Sequence, residues 1–255
     1  MKHTLKTVCL IMFLNLGIAA QAAALDFAIV HVLSGCAKQA SGDMDGALVE
    51  FNRAIEIDPN DAKTYYYRGR VKQAKGDQDG TLADYNRAIE LDPKDADSYL
   101  FRGIAKQRGG DQDGAIADYN RAIELNPASA NAYFLRGNVK NDKGDQDGAI
   151  ADYSRAMELN PKLAMGYLGR GVIEQLKGDL DGALADFNRA VEADPKSAPA
   201  YLTRGIARHR KGDTDGALAD FNHVIELAPK NSVAYFYRGA VERSKNDLDL
   251  SLIHI

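Results

Sequence analysis

Two motifs carry residue types that do chemistry in other proteins. Asp77-Gln78-Asp79-Gly80 spaces two carboxylates like the start of a calcium loop, and the pattern recurs at Asp111–Gly114 and Asp145–Gly148. An EF-hand loop also needs further oxygen ligands and a closing glutamate at its twelfth position. Counted from Asp77, that position is Ala88. Helix N-capping, with a second acid in the first turn, accounts for both aspartates without a metal. Leu33-Ser34-Gly35-Cys36 spells a lipoprotein attachment box, in which the thiol would take a lipid. Such a box should close the apolar run of a leader, yet Asp26 and His31 intervene. The histidines beyond the leader (His31, His209, His223, His254) are scattered, with no Cys/His cluster at metal-ligand spacing. No serine sits in a G-x-S-x-G elbow and no glycine run forms a phosphate loop. Neither a catalytic residue, a metal nor a cofactor is expected.

The carboxylates recur with a period, which marks them as structural. Gly42, Gly76, Gly110, Gly144, Gly178 and Gly212 are each 34 residues apart, as are Pro59, Pro93, Pro127, Pro161, Pro195 and Pro229. A strict period of this size means stacked helical units, not one globular core. The copy Ala62–Asp95 predicts two amphipathic helices. The first covers Lys63 to Lys75 and is broken at Gly76. Asp77 caps the second, and Asp92-Pro93 ends it. Asp95 caps the next copy; of the equivalent residues, only Leu163 is a poor cap. Gly69 recurs mid-helix as Gly103, Gly137, Gly171, Gly205 and Gly239. Glycine there costs about 1 kcal/mol relative to alanine, so close helix approach is expected, with small Ala88 as the facing surface. Copies two to six pair an arginine before that glycine with an aspartate before the second-helix aromatic, as in Arg102 and Asp118. These are expected to form a partly shielded ion pair between the two helices; the first copy has Ser34 and Glu50 instead.

The period, the aromatic opening of the first helix, Gly69, Thr81, Tyr85, Ala88 and Pro93 together resemble the tetratricopeptide repeat, from about Ala28 onward. Two features depart from it. Tyrosine (Tyr65, Tyr99, Tyr133, Tyr167, Tyr201, Tyr235) replaces the early tryptophan, and arginine replaces the leucine before the glycine. The resemblance implies an all-α solenoid of antiparallel helix pairs, a right-handed superhelix of six full repeats and an incomplete seventh. It also implies a concave surface lined by the first helix (A) of each repeat, where peptides or partner domains bind. Positions matching that face fall in three rows: Tyr66, Leu100, Phe134, Leu168, Leu202 and Phe236; then Arg70, Ile104, Asn138, Val172 and Ile206; then Gln73, Gln107, Asn141, Gln175 and His209. The first row is large and apolar, and the third is nearly all amide. Amides in an open groove can bond a partner's backbone without selecting its side chains, and apolar neighbours add burial at about 25 cal/mol per Å². The alternative for the first row is packing between units. The family's carboxylate clamp needs lysines where Tyr66, Leu100 and Phe134 stand, and only Asn138 fits it, so binding of chaperone C-termini is not expected.

Met1–Ala22 has the basic start, apolar run and small-x-small end of a secretory signal, cleaved after Ala22 or Ala24. Cleavage leaves 30 basic against 36 acidic residues, a net charge of −6, which disfavours nucleic acid. It also removes Cys9, so Cys36 has no disulfide partner. No later segment is apolar enough to span a membrane. After a lead-in at 23–27, the repeats are expected at 28–61, 62–95, 96–129, 130–163, 164–197, 198–231 and, in part, 232–249. At 250–255 the chain leaves the repeat pattern, so this tail is expected to be non-native or truncated, and the open last helix could self-associate. The function expected is a non-catalytic scaffold of the bacterial envelope, periplasmic, binding a protein or peptide in the helix-A groove. The alternatives are the recognition arm of a larger enzyme or assembly, and a lipoprotein anchored through Cys36.

Overall fold

The computed structural model describes residues 25–253, with side chains to residue 245. The expected signal, its cleavage sites and the start of the lead-in lie outside these residues. Thirteen helices and no strands occur among the described residues. They divide into two compact units, Met1–Asn126 and Pro127–Ile255.

The first unit holds α1 (residues 25–40), α2 (Met44–Ile57), α3 (Ala62–Lys75), α4 (Gln78–Leu91), α5 (Ala96–Arg108) and α6 (Gln112–Leu125). The second holds α7 (Ala130–Asp142), α8 (Gln146–Leu159), α9 (Ala164–Lys177), α10 (Leu180–Ala193), α11 (Ala198–Arg210), α12 (Thr214–Leu227) and α13 (Ser232–Ile253). Odd-numbered helices are the A helices and even-numbered ones the B helices. Within their units α3, α5, α9 and α11 each pack against their own B helix and the B helix before it, α7 packs against α8, and α13 packs against α12.

The helix ends follow the sequence signals. Asp77 accepts from the Gly80 amide and Asp95 from the Ser98 amide, while Leu163 supplies no cap. Gly76 ends α3 at φ 81, a left-handed conformation that favours glycine. All six such positions among the described residues are glycines one period apart. A seventh would fall at Asn246, and α13 instead runs on as one helix of 22 residues. With no glycine at Asn246 to turn the chain, no separate B helix follows.

The repeated mid-helix glycine has a packing reason, although Ala88 is not its partner. A Cβ on Gly69 would come within 2.9 Å of the Tyr85 ring, and one on Gly103 within 2.7 Å of the Tyr119 ring. Helix A therefore lies directly on the aromatic of helix B. These rings are fully buried, with Phe51, Phe187 and Phe221 in the equivalent places.

Candidate functional site

The charged residues of each repeat are used between helices. Arg68, Arg102, Arg136, Arg170 and Arg204 each reach the aspartate 16 residues on, in every case with Nη2 2.6–2.7 Å from Oδ1. Those aspartates are buried. A second cation, which the sequence reading missed, sits 2.9 Å from the other carboxylate oxygen: Lys72, Lys106, Lys140 and Arg208. The same arginines bridge backward, Arg68 to Asn52 and Arg102 to Asn86. Planar guanidinium geometry suits this double role better than a lysine would. In the first repeat His31 and Lys38 hold Glu50 at 2.7 and 2.8 Å. The hydrogen bonds from Lys38 and His31 bring its carboxyl down to about 2.

The acidic pairs divide their work. Asp43, Asp77, Asp111 and their equivalents cap the B helices. Of the second aspartates, Asp45, Asp147, Asp181 and Asp215 meet Lys75, Lys177, Lys211 and Lys245, which lie in or just after the next A helix. Cys36 lies within α1, packed on a core of Ala47, Phe51 and Val71. Burial pushes its thiol up.

The expected groove residues do share the A helices but are not equally open. In the first unit Tyr66 lies edge-on to Phe101 at 5.5 Å, and Arg70 stacks 5.4 Å over the same Phe101 ring. Burial pushes the Tyr66 hydroxyl up to about 12. Leu100 is only 8% exposed and belongs mainly to the core. Ile104 is half-buried. Gln107 accepts a 2.7 Å hydrogen bond from the Tyr119 hydroxyl, and Gln73 a longer one from Tyr85. The Gln73 amide nitrogen is buried without a partner. The amide row is thus partly engaged by the core tyrosines, which periodicity alone did not show.

In the second unit Leu168 is 7% exposed, whereas Val172 is 41% and Phe236 70% exposed. Leu202 and Ile206 pack on Ala217, Phe221 and Val241. Asn141 is open, and Gln175 and His209 are half-buried. A hollow of about 320 Å³ opens here, walled by Phe134, Asn138, Leu168, Val172, Pro199 and Thr203, with Asn141, Met165, Gly169 and Tyr153 completing the lining. The Tyr153 hydroxyl donates to Asn138 Oδ1 at 2.8 Å, and burial pushes it up to about 12. Met165, Gly169, Pro199 and Thr203 were not anticipated. For Gly169 and Thr203 the signal was a break in one column of the repeats, where large residues give way to small ones.

No group of three or more His, Cys, Asp or Glu able to hold a metal occurs among the described residues, and none of their helices is long and apolar enough to cross a membrane.

Family models described as TPR repeat match residues 37–76, 69–110, 108–141 and 137–176, and one described as tetratricopeptide repeat matches residues 168–232. The chain belongs to the tetratricopeptide repeat family. Its fold class is that of the family, an all-α helical solenoid. A comparison with curated proteins gives no match. Among solved structures, one of MamA is 28% identical with a TM-score of 0.60, covering 68% of this chain and 94% of its own. YrrB, described as a TPR protein with an unusual peptide-binding site, is 24% identical with a TM-score of 0.60, covering 74% of this chain and 97% of its own. PilF of Pseudomonas aeruginosa shares the fold at a TM-score of 0.76 and 16% identity, covering 87% of this chain and 99% of its own.

Proposed function

We propose that this tetratricopeptide repeat chain is a non-catalytic scaffold that binds a segment of a partner protein along its A-helix face. One observation carries the reading. The recurrent arginines and buried aspartates of repeats two to six are tied into pairs between helices, while the A-helix positions of Ile104, Val172 and Ile206 bear apolar side chains that remain half-buried or exposed. Alongside them stand amide groups at Asn138, Asn141 and Gln175. Apolar surface left open beside hydrogen-bonding groups suits an extended or helical peptide. The basic and apolar leader at Met1–Ala22 supports export to the bacterial envelope, with action in the periplasm.

The test is selection of short random-sequence peptides on the intact chain. Peptides should be enriched, and their binding should be lost when Ile104→Glu and Ile206→Glu are combined. Binding should persist in Ala185→Glu, which places the same charge on the exposed side of α10. Enrichment indifferent to the A-helix pair, or no enrichment, would remove the proposal.

A further inference from the structure

The hollow in the second unit is a vacancy in the repeat pattern, and the first unit contains the ring that is absent from it. Between Tyr66 of α3 and Tyr85 of α4 lies Phe101, supplied by the next A helix at 5.5 Å from Tyr66 and 6.4 Å from Tyr85. One pair of repeats later the equivalents are Phe134 and Tyr153, 5.9 Å apart. The residue equivalent to Phe101 is Gly169. In order, this column of the repeats reads Tyr67, Phe101, Leu135, Gly169, Thr203, Tyr237. Two consecutive small residues thus stand where the others are large, and the hollow of about 320 Å³ opens beside them.

The Tyr153 ring covers the position of the missing side chain: a Cβ on Gly169 would meet Cε2 and Cζ at 2.9 Å. Its hydroxyl turns to Asn138, whereas those of Tyr85 and Tyr119 turn to the glutamines three residues further along their A helices. Every side chain lining the hollow is uncharged. At the position of Arg70, which stacks on Phe101 in the first unit, stands Asn138.

The geometry points to a subsite for one aromatic side chain of the partner, a phenylalanine-like ring that packs in the hollow beside Gly169 against Phe134 and Tyr153, as Phe101 packs against Tyr66 and Tyr85. This rests on the reading that the A-helix face binds a peptide, and it names which residue of that peptide is anchored. Ring contacts of this kind add to plain area burial. A charged side chain would lose its hydration against a wall with no opposite charge. The amides of Asn138 and Asn141 remain at the rim to bond the flanking peptide groups.

The test uses the intact chain labelled at its methionine methyl groups, with Met165 in the wall of the hollow as reporter. The probes are the capped pentapeptide Gly-Gly-Phe-Gly-Gly and the same peptide with aspartate in place of phenylalanine. The phenylalanine peptide should shift the Met165 methyl saturably, and the aspartate peptide should bind at least about tenfold more weakly. Gly169→Phe restores the missing ring and should abolish the shift. Because that variant needs Tyr153 to swing away, Thr203→Leu, which fills the hollow from α11, provides a second check and should weaken binding by about tenfold or more. No saturable shift, an equal response to the aspartate peptide, or unchanged binding in a folded filled variant would overturn the subsite. Ligands selected on the A-helix face that lack any requirement for an aromatic residue would overturn it too, while leaving the broader function standing.

Discussion

The guanidinium of Arg102 meets the carboxylate of Asp118 along two edges, Nη2 to Oδ1 at 2.6 Å and Nε to Oδ2 at 2.9 Å. Asp118 is buried, and Lys106 Nζ lies 2.9 Å from its second oxygen. Two cations on one buried carboxylate make each repeat sensitive to loss of the acid. Asp118→Ala should destabilise the chain by about 3 kcal/mol, the low end for breaking a buried pair, because Arg102 and Lys106 keep partial access to water. Replacing both partners, Arg102→Met with Asp118→Leu, should recover most of that loss. Urea unfolding of the two variants checks both values.

Repeat five contains the exception to this network. Glu174 stands where Lys72, Lys106, Lys140 and Arg208 neutralise the buried aspartate of other repeats. Its Oε2 is buried without a partner, and burial together with the charge of Asp186 pushes its carboxyl up from 4.5. A carboxyl raised in the folded state favours folding while protonated, and that contribution fades as pH rises through the folded value. Glu174→Lys should therefore stabilise the chain at neutral pH by about 1 kcal/mol, the lower end for relieving a buried unsatisfied group. It should also remove one source of stability gained on mild acidification, and thermal midpoints on both sides of pH 4.5 test this.

Glu50 has the opposite sign. With Lys38 and His31 holding its carboxyl at about 2, below the usual 4.5, its contribution is present above 4.5 and lost as pH falls toward 2. Glu50→Gln should flatten the acid limb of stability over that window. The change should be seen first in α1 and α2, by hydrogen exchange of their amides.

Glycines at the same place in different repeats should behave oppositely. Gly103→Ala places a Cβ 2.7 Å from the Tyr119 ring, whereas at Gly239 the added atom meets nothing within 4 Å. The first should destabilise by about 1–3 kcal/mol through overpacking. The second should stabilise by up to about 1 kcal/mol, the helix-propensity difference between the two residues. Thermal unfolding of the two single variants decides it.

The repeats were readable because each structural role recurs every 34 residues: the capping aspartates, the left-handed glycines and the Arg–Asp pairs all fall where that register puts them. What escaped was information carried between helices. Lys106 as second cation, Asn86 as backward bridge and the Tyr119 ring against Gly103 depend on the rotation of one helix about its neighbour, which periodicity does not determine. At α13 the register runs out: Asn246 stands where the turning glycine would be, and the helix continues past it. On the candidate face, sequence located the positions but not their exposure. Leu100 and Leu168 turn into the core while Val172 stays open. The hollow at Gly169 was visible only as an interrupted column, and its meaning required the ring of Phe101 for comparison.

Whether a partner lies along the A helices is tested most directly by photo-crosslinking. A benzophenone amino acid would be placed singly at Ile104, Val172 or Ile206 on A helices, and at Ala83, Ala151 or Ala219 on the exposed sides of B helices. The bound partner would be a peptide selected on the intact chain. Crosslinks are expected from one or more of the A-helix sites and none from the B-helix sites. Crosslinks from the B-helix positions, with the A-helix positions silent, would contradict binding along the A helices.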